Sequence, residues 1–126
     1  MREQFSFERP FAMSCPPRLT LALLAIAGAP CAAHADQLVS LTVQNHTFTP
    51  ASFTVPAGER FRIQLTNNDD TVDEFESYDM KFEKIVVPGN TITVFAGPMH
   101  PGTYSFFDDY HPDQAKGTVT VVAAKE

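Results

Sequence analysis

Glu74, Glu76, Asp108 and His111, together with His46 and Met80, are the side chains of this chain whose types suit a bound metal ion. On a strand, residues two apart point to one face, roughly 6.5–7 Å apart. Glu74 and Glu76 would then reach one cation or two adjacent ones, with Phe75 between them turned to the core. Carboxylates grouped at a sheet end repel, and a cation relieves the repulsion; a solvent-facing strand side carries the same charges, and the spacing admits both. His111 follows Asp108 by three positions and Asp109 by two. Asp108 either supplies a hard oxygen ligand or accepts a hydrogen bond that orients the imidazole, and Asp109 is its alternative. Met80, in the Tyr78-Asp79-Met80 segment, offers a weak thioether ligand or packs in the core. Glu83 extends the acidic group, while Met99 and His100 fall in a Gly-Pro-bounded surface turn. Carboxylates with one or two imidazoles suit Cu(II), Zn(II) or iron, and a sulfur cage for Cu(I) is absent.

The elements that must position these groups read as strands. Leu38–Val43, Phe53–Val55, Arg60–Thr66, Glu74–Ser77, Lys84–Val87, Thr91–Phe95, Gly102–Phe107 and Gly117–Val122 are short runs rich in Val, Ile, Thr, Phe and Tyr. Pro50, Pro56-Ala57-Gly58, Asn67-Asn68-Asp69-Asp70, Pro88-Gly89-Asn90, Pro98 and Pro101-Gly102 separate them at sandwich-like intervals. Phe61, Ile63 and Leu65 alternate with polar neighbours, the mark of a half-buried strand. Phe48, Phe53, Phe61, Phe75, Phe82, Phe95 and Phe106 are expected in the core of a chain that has no Trp.

Arg2, Arg9 and Arg18 precede an apolar run, Leu19–Ala29, and small residues ending in Ala33-His34-Ala35. This has the form of a secretory signal over residues 1–35, cleaved after Ala35; the apolar run is too short to span a bilayer. Lipoprotein processing before Cys31 is disfavoured by Pro30. Cleavage leaves one domain, 36–126, of 91 residues, and removes both cysteines, Cys15 and Cys31. That domain carries six Lys and Arg against thirteen Asp and Glu, a net charge of −7. Such a charge suits cations and excludes nucleic acid and insertion among anionic lipids. No G-x-S-x-G or phosphate-binding glycine loop is present, so nucleophilic hydrolysis has no support.

The segment Gly102–Val121, GTYSFFDDYHPDQAKGTVTV, resembles the copper loop of a cupredoxin, in which G-x-Y-x-[FY]-x leads into Cys, then His three residues on, then Met, before a G-x-[VIL]-x-V strand. Asp108 stands at the Cys place, His111 keeps the His place, and Gln114 and Ala115 fill the Met region. Thr47–Gly58, TFTPASFTVPAG, resembles the family's F-x-P-x-x-[FIL]-x-V-P-A-G opening. Asn68-Asp69, the DEFES segment Asp73–Ser77, Pro88-Gly89, Gly97-Pro98, Pro101-Gly102 and F-F-x-x-[YF]-H-P at Phe106–Pro112 follow in the family's order. Together they resemble the small periplasmic cupredoxin-like proteins of bacterial ferrous-iron uptake.

The resemblance implies an all-β Greek-key sandwich or barrel of about seven to eight strands with a metal site at one end. The family's usual first His follows an N-x-D turn, and Asp73 stands at about that position. In such a sandwich the end of the first strand lies near the metal end, which would bring in His46. The expected ligands are therefore His46, Glu74, Glu76, Met80, Asp108 and His111. Without thiolate, the expected cofactor is non-blue Cu(II), with iron as a second candidate. The expected role is ferroxidase-like Fe(II) oxidation or electron transfer in the periplasm, beside an inner-membrane iron permease or redox partner and a periplasmic iron-binding protein. A metal carrier without redox turnover, and an interaction sandwich with a vestigial site, are the alternatives.

Overall fold

A computed structural model describes residues 36–125 and, upstream, Gly28 alone. The chain divides into two units, Met1–Ala32 and Ala33–Glu126, and the strands among the described residues lie in the second. The expected signal segment with its cleavage point, and Cys15 and Cys31, lie outside the described residues.

All regular structure among the described residues is strand: β1 Gln37–Gln44, β2 Thr47–Thr49, β3 Ser52–Pro56, β4 Phe61–Asn67, β5 Asp73–Ser77, β6 Phe82–Val86, β7 Thr91–Ala96, β8 Gly102–Asp108 and β9 Lys116–Val122. The eight expected strands are present within a residue or two of their expected bounds. The ninth, β2, is a three-residue return from β1. The strands form two sheets, in the orders β2-β1-β4-β7 and β3-β9-β8-β5-β6. Most neighbours run antiparallel, while β1 with β4 and β3 with β9 are parallel. Strands that are distant in sequence thus become neighbours, as Greek-key connections require.

Alternation decides which residues face between the sheets. Phe61, Ile63 and Leu65 of β4 face inward against Val39, Leu41 and Val43 of β1. Phe48, Phe75 and Phe106 form the aromatic centre, with ring centroids 5.2–5.6 Å apart and tilted or edge-on, the arrangement that the ring quadrupole favours. Phe53 and Phe82 pack against this core from partly buried positions. Phe95 does not join it. On β7 the inward places go to Val94 and Ala96, and Phe95 is 68% exposed.

Gly117 shows how tightly β9 lies on this centre. A Cβ there would sit 2.3 Å from the Phe106 ring and 2.5 Å from the Ala51 carbonyl oxygen. Gly117→Ala is expected to destabilise the domain by about 1–3 kcal/mol through overpacking, measured as a lower midpoint in urea with the slope unchanged.

Candidate metal centre

Four side chains from three separated parts of the chain meet at one end of the sandwich: His46, Asp73, Asp108 and His111, each offering a ligand atom within 4.8 Å of the others.

His46 comes from the Asn45-His46 turn between β1 and β2, where both residues have positive φ, 51° and 54°. Those angles match a two-residue hairpin turn of type I′, a conformation that Asn and His tolerate better than most residues. Asp69 holds the turn in place. Its carboxylate accepts hydrogen bonds from the Asn45 and His46 backbone N–H groups, the latter at 2.9 Å. Asp69 is in turn fixed by buried Asn67, whose Oδ1 accepts from the Asp69 N–H at 2.8 Å and whose Nδ2 donates to the Thr71 and Val86 carbonyls.

Asp73 opens β5 and Asp108 closes β8, adjacent strands whose inward faces carry Phe75 and Phe106. The same alternation that buries these rings turns both carboxylates inward, leaving Asp73 1% and Asp108 0% exposed. Asp108 is fully engaged. Its Oδ1 accepts from the Glu74 N–H at 2.9 Å and the Tyr110 N–H at 3.1 Å, and its Oδ2 lies 2.7 Å from His111 Nδ1. The carboxylate accepts from a protonated Nδ1 and so fixes the orientation of the imidazole.

His111 sits in the β8–β9 loop. The loop is closed by a hydrogen bond from the Asp108 N–H to the Ala115 carbonyl and by turns in which the His111 carbonyl accepts from the Gln114 and Ala115 N–H groups. Pro112 occupies the second place of the His111–Gln114 turn, where its fixed φ suits a type I turn. The ring stacks on His46 with centroids 3.7 Å apart and planes inclined by 24°.

Asp73 is the unsatisfied member. Neither of its oxygens has a hydrogen-bond partner, and His46 Nδ1 is likewise buried and unpaired. The nearest base to Asp73 is His111 Nδ1 at 3.4 Å, already committed to Asp108. Burial, then the charge of Asp108, pushes the Asp73 pKa from 3.8 up to about 7. The hydrogen bond to Asp108 is also the main cause that raises His111 above its ordinary value. With both carboxylates ionised and both His neutral the four groups carry a charge of −2, which a dication would cancel. An N₂O₂ donor set suits Cu(II), Zn(II) or Fe(II).

Of the residues singled out in the sequence, His46, Asp108 and His111 come together. Glu74 and Glu76 do not join them: they alternate to the opposite face of β5, beside Glu83 and Asp109. Met80 packs against the core from a partly buried position, and its N–H donates to Ser77 Oγ at 3.0 Å. Met99 likewise contacts the core, and His100 is exposed. Asp73 was absent from the expected ligands. The signal for it was present in the DEFES segment, since placing Phe75 in the core places Asp73 on the same side.

Comparison with known proteins bears on this arrangement. A family described as "Cupredoxin-like domain" matches residues 17–121. The uncharacterized protein RP394 of Rickettsia prowazekii (strain Madrid E) is 41% identical over 83 residues, and the match spans 66% of this chain and 66% of that protein. Reduced auracyanin from the photosynthetic bacterium Roseiflexus castenholzii superposes with a TM-score of 0.60 at 19% identity, over 70% of this chain and 98% of that one. The metal-binding domain of the Cu(I)-exporting P-type ATPase CopA of Streptococcus pneumoniae D39, solved with Cu(I), gives 0.62 at 15% identity, over 71% and 88%. At these identities the structural likeness establishes the sandwich fold.

Proposed function

This chain belongs to the cupredoxin-like family, and on that premise we propose that it is a non-blue copper-binding protein, holding Cu(II) through His46, Asp73 and His111 with Asp108 orienting His111. The observation that carries the proposal is the buried Asp73 carboxylate, unpaired on both oxygens, facing two imidazoles and a second carboxylate. Unsatisfied buried groups are costly, and a dication satisfies all of them together. The donor set does not fit a blue centre, because Asp108 stands where the family pattern has Cys and the only cysteines are Cys15 and Cys31. It does fit an oxygen- and nitrogen-bound dication, which favours Cu(II) over Cu(I).

The ordered motifs shared with ferrous-iron uptake proteins, and the export signal expected over residues 1–35, support a periplasmic role beside an inner-membrane iron permease. Copper held by His46, Asp73 and His111 would supply one-electron exchange there, with Fe(II) as the reductant and a redox partner as the acceptor of the electron. The protein's part is to fix the two imidazoles and to hold a carboxylate pair whose charge stabilises the oxidised metal. An iron-binding protein of the same compartment would receive the Fe(III).

Titrating Cu(II) into the metal-free chain by calorimetry and electron paramagnetic resonance tests the proposal. One equivalent should bind with a non-blue spectrum, and His111→Ala should weaken binding at least tenfold, while Glu76→Ala leaves it within about twofold. Adding Fe(II) to the copper-loaded protein then separates redox turnover from carriage: an unreduced copper signal leaves a carrier. Absence of binding, or equal effects of both substitutions, would overturn the site.

A further inference from the structure

The alternation that sends Asp73 inward sends Glu74 and Glu76 outward, onto the outer face of the β6-β5-β8 part of the sheet. Strand register adds to them. Glu83 of β6 pairs across from Glu76, Ile85 pairs across from Glu74, and Phe107 of β8 flanks Glu76 on the other side. Asp109 is tied to the edge of this face by its N–H, which donates to the Glu74 carbonyl at 2.9 Å. Tyr78 packs edge-on to Phe107, with centroids 5.1 Å apart. Tyr78 is 72%, Ile85 53% and Tyr110 48% exposed.

These carboxylates lack cationic partners among the described residues. The ion pairs among the described residues all run from His46 or His111 to Asp69, Asp73 or Asp108. Lys84 turns instead to the Thr93 carbonyl at 3.3 Å. Lys81 lines a hollow with Glu76, Tyr78 and Glu83 without forming an ion pair. The acids act on one another: the charges of Asp109 and Glu83 add to burial in raising the Glu76 pKa.

We propose that this face, Glu74, Glu76, Glu83 and Asp109 with Tyr78 and Tyr110, docks a protein partner through a Lys- and Arg-rich surface. The charge calls for cations, and exposed aromatic rings set among carboxylates suit Lys stems and Arg planes by cation–π contact. A small metal ion would satisfy the carboxylates and leave the rings unused, whereas a basic protein surface uses both. The position gives docking a purpose. Glu74 adjoins Asp73 in the chain, Asp109 adjoins Asp108, and Tyr110 adjoins His111, so a partner seated here lies against the backbone that carries the metal centre.

The surface is tested without metal, so its failure and that of the copper site are separable. The probe is a short Lys/Arg-rich peptide, titrated into the isotopically labelled metal-free chain and followed by amide shifts. Shifts should cluster at residues 74–78, 83–85 and 107–110, and affinity should fall with added salt. Glu74→Gln/Glu76→Gln/Glu83→Gln should weaken binding about tenfold, and Tyr78→Ala alone should weaken it at high salt. Asp36→Asn/Glu59→Gln/Asp113→Asn, which removes equal charge elsewhere, should change it less than twofold. Equal losses in the two triple variants, shifts scattered over the acidic surface, or micromolar stoichiometric binding of Ca(II) or Zn(II) at these carboxylates would each overturn the proposal.

Discussion

Replacing Asp73 by Asn is expected to weaken Cu(II) binding at least a hundredfold while making the metal-free chain more stable. The two effects have one cause. A carboxyl that titrates at about 7 in the fold and at 3.8 in the reference state is destabilising wherever the unfolded chain would ionise it. The sign follows from proton linkage: the unfolded chain gives up this proton first, so the metal-free fold loses stability as pH rises from about 4 to about 7 and keeps that deficit above it. His111, raised by Asp108, acts in the same direction, because its stabilising contribution is lost as pH rises through its folded pKa. Asn removes the charge, keeps the shape and can donate to Asp108. The expected gain at pH 8 is on the order of 2 kcal/mol, or roughly 10 °C in midpoint, shrinking towards pH 5. Thermal unfolding at both pH values, with and without Cu(II), measures it. A stable variant that still binds copper as tightly as the parent would show that Asp73 is not a ligand, and a destabilised one would show that its carboxylate is satisfied in the fold.

Replacing Asp108 by Asn is expected to cost ten- to a hundredfold in copper affinity by a different route. The Asn oxygen can still accept from the Glu74 and Tyr110 N–H groups that now bond Oδ1. Its amide nitrogen then faces His111 Nδ1, where Oδ2 now lies at 2.7 Å. A donor in that place forces the imidazole proton to Nε2 and takes away the carboxylate charge beside the bound cation. Nitrogen-15 shifts of His111 should therefore report a tautomer exchange in the metal-free variant, a readout that general loosening of the loop would not produce. Stability should change little by comparison with Asp108→Ala, which would leave two backbone donors buried without acceptors.

How much of this was visible beforehand follows from the range over which each cause acts. Strand periodicity is local, so the eight longer strands, the inward faces of β4 and β5 and the turn residues between elements were legible from Phe61-Arg62-Ile63-Gln64-Leu65 and its counterparts. The short β2 was not, because three residues of Thr-Phe-Thr carry too little pattern; what makes it a strand is pairing with Thr42–Gln44. Phe95 was misplaced for the related reason that composition favours a buried ring, while its phase on β7 is fixed by its pairing with Arg62 of β4.

The metal centre divides the same way. By itself the sequence determined that the chain builds an all-β sandwich and that His111 lies three residues beyond Asp108, since these depend on neighbours in the chain, while the resemblance to the cupredoxin pattern set Asp108 at the cysteine's place. The tertiary structure alone decided that His46 stacks on His111, that the inward-facing Asp73 lies at their end of the sandwich, and that Glu74 and Glu76 share an outer surface with Glu83 and Asp109. Each of these depends on which strands become neighbours across two sheets. A one-residue change of phase exchanges the buried carboxylate for the exposed one, and the packing of Phe75 against Phe48 and Phe106 holds that phase.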